Sequence, residues 1–294
     1  MRILITGASG QLGQDVAYVF QKAGHIVLAC DRDTLDITDS QMCVERMQEF
    51  KPDAVIHCAA YTAVDQAESD IDRAYAVNAS GTRNMVVATQ SIGAKFCYIS
   101  TDYVFDGESE APYHEYDNTN PQTIYGKSKR AGEMLVQSLS PAFFIVRTSW
   151  VYGLNGHNFV KTMLKLGQEK SELKVVHDQK GSPTYTVDLA EFLLELIQTE
   201  KYGVYHASNS GECTWFEFAE AIFAEAKSIL GEAYRVRVES CTTKDFPRPA
   251  PRPRNSVMEH LAIRTNGLKD LRPWREGLRS FLRELAASNN DKIV

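Results

Sequence analysis

Long hydrophobic runs are missing from this 294-residue chain, and without a stretch approaching membrane-spanning length a bilayer-crossing helix is excluded. No charged-then-apolar leader follows Met1, because the run Arg2-Ile-Leu-Ile-Thr6 starts at once, so a soluble, cytoplasmic protein is expected. The six cysteines, Cys30, Cys43, Cys58, Cys97, Cys213 and Cys241, contain no Cys-x-x-Cys pair. They read as reduced core residues, which argues against a disulfide framework or a zinc site. No His-Glu-x-x-His or clustered Cys/His spacing occurs, so no catalytic metal is predicted, and His57 at a strand end reads as a packed histidine. Excess positive charge is also absent: the net charge of −6 provides no overall field for nucleic acid or an anionic membrane. An anionic small molecule would need local basic residues.

What is present is an ordinary globular composition, 44% hydrophobic, long enough to bury a large core. Short runs rich in Ile, Val, Ala and Cys at Ile3–Thr6, Ile26–Cys30, Ala54–Ala59, Phe96–Ser100 and Phe143–Arg147 alternate with longer amphipathic stretches. That alternation predicts an α/β protein with a Rossmann-type, doubly wound parallel sheet whose strands are covered on both faces. Beyond residue 150 the pattern loosens. Helices are expected near Asn158–Leu166, Val187–Thr199, Trp215–Leu230 and Gly277–Ala287, with short strands near Leu173–Val176 and Val204–His206. The division predicted is residues 1–150 as a dinucleotide-binding domain and 151–294 mainly as a smaller mixed α/β substrate lobe, with some segments returning to the first domain. Four of the ten prolines fall in Phe246–Arg254 at every second residue, which gives no Pro-x-x-Pro spacing and predicts a rigid, extended basic loop.

The segment Gly7-Ala-Ser9-Gly10-Gln11-Leu12-Gly13 follows the first strand and opens a helix. Glycine suits such a place because the chain must turn tightly, admit a pyrophosphate to the backbone and pack helix against sheet, while the helix N-terminus offers free N–H groups. A glycine triplet alone is a weak signal. Here Asp31 stands 18 residues beyond Gly13 at the end of the second strand, where an acid can bind the adenosine ribose. Asp31 favours NAD, whereas Arg32 can pair with the 2′-phosphate of NADP, so NADPH and NADH both stay open.

Tyr125 and Lys129 are four residues apart at the start of a predicted helix and share one face. An ammonium about 4 Å from the phenol, at an effective dielectric of about 20, is worth roughly 4 kcal/mol or about three pKa units as an upper figure. The expectation is therefore a tyrosine drawn toward neutrality, ready to give or take a proton. Thr101, ending a strand, can hydrogen-bond the same reacting oxygen, and Asp102 beside it can orient a substrate hydroxyl. Tyr-x-x-x-Lys is common on solvated helix faces; its combination with the glycine loop and a strand-end hydroxyl favours chemistry.

Together these motifs resemble the extended short-chain dehydrogenase/reductase family along nearly the whole chain. Within it, Ser100-Thr-Asp-Tyr-Val-Phe-Asp-Gly107, Thr148-Ser-Trp-Val-Tyr-Gly153 and Asp178-Gln-Lys-Gly-Ser-Pro-Thr184 look like a branch that acts on nucleotide-linked keto sugars. The resemblance implies NAD(P)H-dependent reduction of dTDP-4-dehydro-6-deoxy-L-mannose to dTDP-L-rhamnose, in a homodimer. It implies Tyr125 as proton donor, Lys129 as its electrostatic partner and a ribose ligand, and Thr101 as the third member. It further implies Cys58, Ala59, Ala60 and Tyr61 along the coenzyme, Asp36 and Ile37 by the adenine, and Thr62, Val64 and Asp65 near nicotinamide and sugar. Trp150 would approach the sugar, with a packed core aromatic as the equal alternative, and Arg248, Arg252, Asn255 and Ser256 would lie near the nucleotide end.

Three rival readings remain. Sugar 4,6-dehydratases of this family typically carry Thr-Asp-Glu where this chain has Thr101-Asp102-Tyr103, so the base they need is missing. Sugar 4-epimerases share the Tyr-x-x-x-Lys pair but retain their NAD. A non-catalytic binding subunit, resembling the regulatory β subunit of methionine adenosyltransferase, shares the fold, although intact Tyr125, Lys129 and Thr101 argue against lost chemistry.

Overall fold

The computed structural model describes residues 1–231, 234 and 236–290. Six strands, β1 (Arg2–Thr6), β2 (Ile26–Cys30), β3 (Ala54–His57), β4 (Lys95–Thr101), β5 (Phe143–Thr148) and β6 (Gly203–His206), form one sheet in the order β6-β5-β4-β3-β1-β2. All neighbours are parallel. The period of two along a strand explains the apolar middle of β1: Ile3 and Ile5 face one helical layer and Leu4 the other, so polar residues fall at the strand ends.

On the first face lie α1 (Gln11–Lys22) and a later helix, Thr186–Ile197, whose Leu189 and Leu193 pack with Val16, Phe20 and Ile56. On the second, Met47 of Ser40–Phe50, Met85 and Val86 of Thr82–Gln90, and Val136 of α2 (Ile124–Leu139) cover Val55, Phe96 and Ile145. Each such side chain, fully buried, contributes about 1.5–3 kcal/mol. The strand order reverses at β1, because β2 lies to one side of it and β3 to the other. The crevice at the carboxyl ends of β1 and β3 is where open α/β sheets take their ligands.

Residues beyond 150 supply β6 to this sheet and Thr186–Ile197 to the helical layer on its first face, so these segments return to the first layer system. A separate apolar cluster joins Phe159–Glu169, Trp215–Leu230 and Trp274–Asn290 through Val160, Leu164, Phe218, Ile222, Leu278 and Phe281. Beside it, Glu172–Val176 and Arg237–Cys241 pair in parallel. The ends of these helices are set locally: Asn158 caps the first, and Thr214 with Glu217 forms a capping box on the second. All six cysteines are unpaired, and Cys58 alone is half-buried rather than buried. Among the described residues no helix is long and apolar enough to cross a membrane.

Candidate active site

The glycine loop is shaped by close approach. Gly7 has φ +64°, and a Cβ there would stand 2.7 Å from the Ala59 nitrogen. A Cβ on Gly13 would stand 2.2 Å from the Gly7 carbonyl oxygen, so only glycine lets α1 start this near to the turn. The Gly10 N–H donates to the Gly7 carbonyl at 3.0 Å, and Gly10 is the N-cap of α1 with no side chain over the helix end. The free N–H groups of that end therefore open toward the crevice, a cradle for a diphosphate.

At the end of β2, one carboxylate oxygen of Asp31 accepts the N–H groups of Asp33 (3.1 Å) and Thr34 (3.0 Å) and the Thr34 hydroxyl (2.8 Å). These bonds hold its carboxyl below the usual range and keep it ionised, with its second oxygen free for a ribose. Arg32 is solvated and only loosely paired with Asp36 at 3.8 Å. Beyond β3, the buried Asn78 fixes the coenzyme-side segment: its carbonyl oxygen accepts the Tyr61 N–H at 2.8 Å, and its amide donates to Tyr61 O (3.1 Å) and Ser128 Oγ (2.9 Å). His57 is fully buried, with Nδ1 2.8 Å from Thr6 Oγ1, and burial pushes its pKa down to about 3. It is a neutral packed histidine, as its strand-end position suggested.

The reacting groups converge at the carboxyl end of β4. Thr123 caps α2, its hydroxyl oxygen accepting the Gly126 N–H at 3.0 Å. A Cβ on Gly126 would lie 2.2 Å from the Tyr103 carbonyl oxygen, so α2 begins against the Thr101–Tyr103 turn and brings Tyr125 to it. Tyr125 and Thr101 line the same wall of the site, close enough for Thr101 to oppose the rise in the Tyr125 pKa. Thr101 in turn donates to Asp102 Oδ1 at 2.9 Å, while Asp102 Oδ2 is buried with no partner at ordinary hydrogen-bond distance, Ser256 being the polar side chain beside it. Burial pushes the Asp102 carboxyl up to about 6.

The electrostatics differ from the expectation for Tyr125. Burial pushes its phenol up to about 12, with Asp102 adding to the rise and Thr101 opposing it. Lys129 does not draw it down. Its ammonium donates to the Ile99 carbonyl at 2.6 Å and sits 4.0 Å over the Tyr98 ring, and burial brings its own pKa down to about 7. One helix face thus holds both residues, but desolvation decides the ionisation of each, and the Lys129 ammonium turns to the Ile99 carbonyl of β4.

A cavity of ≈ 1400 Å³ runs from the glycine loop past Thr101, Tyr125 and Lys129 to the Pro-rich segment. Pockets for a single small ligand usually measure about 300–1,000 Å³, so this larger volume suits two ligands side by side. Every expected site residue lines it except Asn255. The Asn255 amide is turned away to donate to the Ser109 carbonyl at 2.9 Å, because it anchors the base of the loop rather than facing a ligand. Trp150 is half-buried: it lines the cavity and stacks on Trp215, centroids 3.5 Å apart and planes 8° from parallel. Its φ of +48° is the left-handed region, an uncommon place for a bulky residue.

Several cavity residues were not singled out from the sequence, among them Trp215, His157, Lys174 and Gln179. They come from the second lobe, where a stacked pair separated by 65 residues leaves no local pattern. Asn78 had one usable signal, an amide inside an otherwise apolar helical stretch.

A parallel sheet with a glycine cradle at its switch point and a Tyr-Lys helix beside a strand-end threonine defines a Rossmann-type dinucleotide-binding protein of the reductase kind. The chain belongs to the family described as RmlD substrate binding domain, which matches residues 1–287. It is 44% identical to the spore coat polysaccharide biosynthesis protein SpsK of Bacillus subtilis, over 98% of this chain and 99% of that one. A solved dTDP-4-dehydrorhamnose reductase of Bacillus anthracis, in complex with NADP, superimposes with TM-score 0.93 at 47% identity, covering 96% of this chain and 99% of that one. The dTDP-4-dehydrorhamnose reductase of Clostridium acetobutylicum gives TM-score 0.93 at 45% identity, over 97% and 100% of the two chains.

Proposed function

We propose that this protein is an NADPH- or NADH-dependent reductase that converts the 4-ketone of dTDP-4-dehydro-6-deoxy-L-mannose to the alcohol of dTDP-L-rhamnose. The observation that carries this reading is the Thr101–Tyr125 hydroxyl pair at the end of β4, on the wall of one cavity shared with the glycine cradle. The cradle fits a dinucleotide: Gly7, Gly10 and Gly13 leave room where a Cβ would intrude, and Ser9, Gln11 and Leu12 lie at the same helix end. Asp31, Arg32, Asp36 and Ile37 would hold its adenosine part, and Cys58, Ala59, Ala60, Tyr61 and Lys129 the rest. When bound, the reduced coenzyme supplies a hydride to the ketone carbon.

The residues of the chain then manage the oxygen. A phenol held up at about 12 is fully protonated at neutral pH, so Tyr125 is already in the form that gives a proton to the developing alkoxide. Thr101, whose hydroxyl donates to Asp102 Oδ1 in the free site, can turn that one proton to the same oxygen when the sugar is bound. Lys129, held on the Ile99 carbonyl and lining the cavity, would bind the coenzyme ribose rather than act on the phenol. The unpartnered Asp102 Oδ2 accepts a hydroxyl of the sugar. Thr62, Val64, Trp150 and Ser256 would surround that sugar, with Arg248 and Arg252 on the nucleotide side. Residues 1–150 thus hold mainly the coenzyme and 151–294 mainly the sugar nucleotide.

Incubation with dTDP-4-dehydro-6-deoxy-L-mannose and NADPH is expected to consume coenzyme and yield dTDP-L-rhamnose, identified by mass spectrometry and NMR. In Tyr125→Phe, turnover is expected to fall about 10²–10⁴-fold while NADPH binding is kept, since only the hydroxyl is lost. Normal turnover by that variant contradicts the assignment. No turnover by the wild-type protein, together with copurification of a synthetase, supports the non-catalytic reading instead.

A further inference from the structure

The Pro-rich segment 246–254 is fastened across the cavity by one side chain of the opposite wall. Its carboxyl end is anchored by backbone: the Lys180 N–H donates to the Arg254 carbonyl at 2.8 Å, and the Asn255 N–H to the Gly107 carbonyl at 3.0 Å. Its amino end follows the capped turn Thr242–Asp245. Between these anchors, Asp65 takes hold twice. Its Oδ2 accepts from an Arg252 guanidinium nitrogen at 2.8 Å, and its Oδ1 accepts the Ala250 N–H at 3.3 Å. A second guanidinium nitrogen of Arg252 donates to the Ala250 carbonyl at 3.0 Å. The guanidinium is thus oriented on two sides while still lining the cavity, and Arg248 lies near enough to lower the Asp65 pKa as well.

A guanidinium on a long flexible side chain loses rotamer freedom when it grips an anion, and orientation in advance removes that cost. The glycine cradle serves one diphosphate of the cavity, and Arg252 with Arg248 is the cationic feature at the other end. We propose that Asp65 is a positioning residue for nucleoside-diphosphate recognition: it does not bind the substrate but holds Arg252, and with it the strap, in the orientation that receives the diphosphate. This inference deepens the proposed function and rests on it for the nature of the ligand. It assigns Asp65 a task different from the contact with nicotinamide and sugar implied by family resemblance.

The test is a double-mutant cycle on the intact protein, with dTDP binding followed by calorimetry and turnover followed through NADPH. Asp65 is partly exposed, with 34% of its side chain accessible, so Asp65→Asn is expected to fold. It should weaken dTDP binding and raise KM for the sugar nucleotide by about ten-fold, with a smaller loss in kcat. Arg252→Ala should do the same, and the double variant should be little worse than either single one, because both remove one unit. Additive losses, unchanged dTDP binding in Asp65→Asn, or a fall confined to kcat would each overturn the proposal. Tighter dTDP binding in Asp65→Asn would also overturn it, since Asp65 would then be competing for Arg252. Asp65-dependent dTDP binding by a wild-type protein that reduces no keto sugar would refute the proposed activity and leave the pair standing.

Discussion

Asp102 shows how a single buried group ties chemistry to stability. Its pKa is raised from 3.8 to about 6, so the folded state favours its neutral form. Below the unfolded value both states are protonated and Asp102 contributes nothing. As pH rises from about 4 to 6 the unfolded chain ionises first, and stability is lost across that window. Above it the cost approaches roughly 3 kcal/mol. Asp102→Asn is therefore expected to be more stable than the parent at pH 7.5 and equal to it at pH 4, measured by urea unfolding at both. A difference independent of pH would show that the carboxyl is not the titrating group. The same variant should bind the sugar less well, because an amide presents one acceptor oxygen where the carboxylate has two.

At the scale of elements, the link between glycine loop and α1 is the most exacting. Adding a Cβ at Gly13 drives it to 2.2 Å from the Gly7 carbonyl, and the atoms met are backbone, which cannot rotate away. Gly13→Ala should displace α1, lower stability by about 1–3 kcal/mol as an overpacked site does, and weaken NADPH binding more than ten-fold. A fluorescence titration that finds parental affinity would contradict this role for the close approach. This element was legible in advance, since strand, glycine spacing and helix lie within one short stretch. The central strands were legible for the same reason: Ile26–Cys30 falls where the apolar run predicted it, and β4 extends the predicted Phe96–Ser100 by one residue at each end. The ionisation of Tyr125 was not legible. Spacing on a helix gives proximity to Lys129, but the outcome is decided by desolvation and by the Ile99 carbonyl, which belongs to a strand.

For the whole molecule, the second lobe meets the coenzyme cradle through a polar joint. The Asn158 amide donates to Gln11 Oε1 at 2.8 Å and to the Gly153 carbonyl at 2.8 Å, while the Gln11 amide donates to the Val151 carbonyl at 3.0 Å. Asn158 Oδ1 meanwhile caps Phe159–Glu169 through the Lys161 N–H. Asn158→Asp keeps the capping oxygen but loses the amide donors, so it should retain most thermal stability while weakening NADPH binding. Asn158→Ala should lose both, with about 0.5–2 kcal/mol from the cap alone. Equal coenzyme affinity in both variants and the parent would dismiss the joint. Asn158 with Gln11 and Arg252 with Asp65 join residues 147 and 187 positions apart, and nothing in the local sequence announces them. That some segments beyond residue 150 return to the first domain was expected, but not which ones: a four-residue strand such as β6 carries too little pattern to reveal the sheet it joins. The face-to-face indoles of Trp150 and Trp215 give this architecture an optical signature. They are two of only three tryptophans in the chain and both line the cavity, so a ligand that enters beside them is expected to change the emission. Ligand arrival can thus be timed by stopped-flow without attaching a dye.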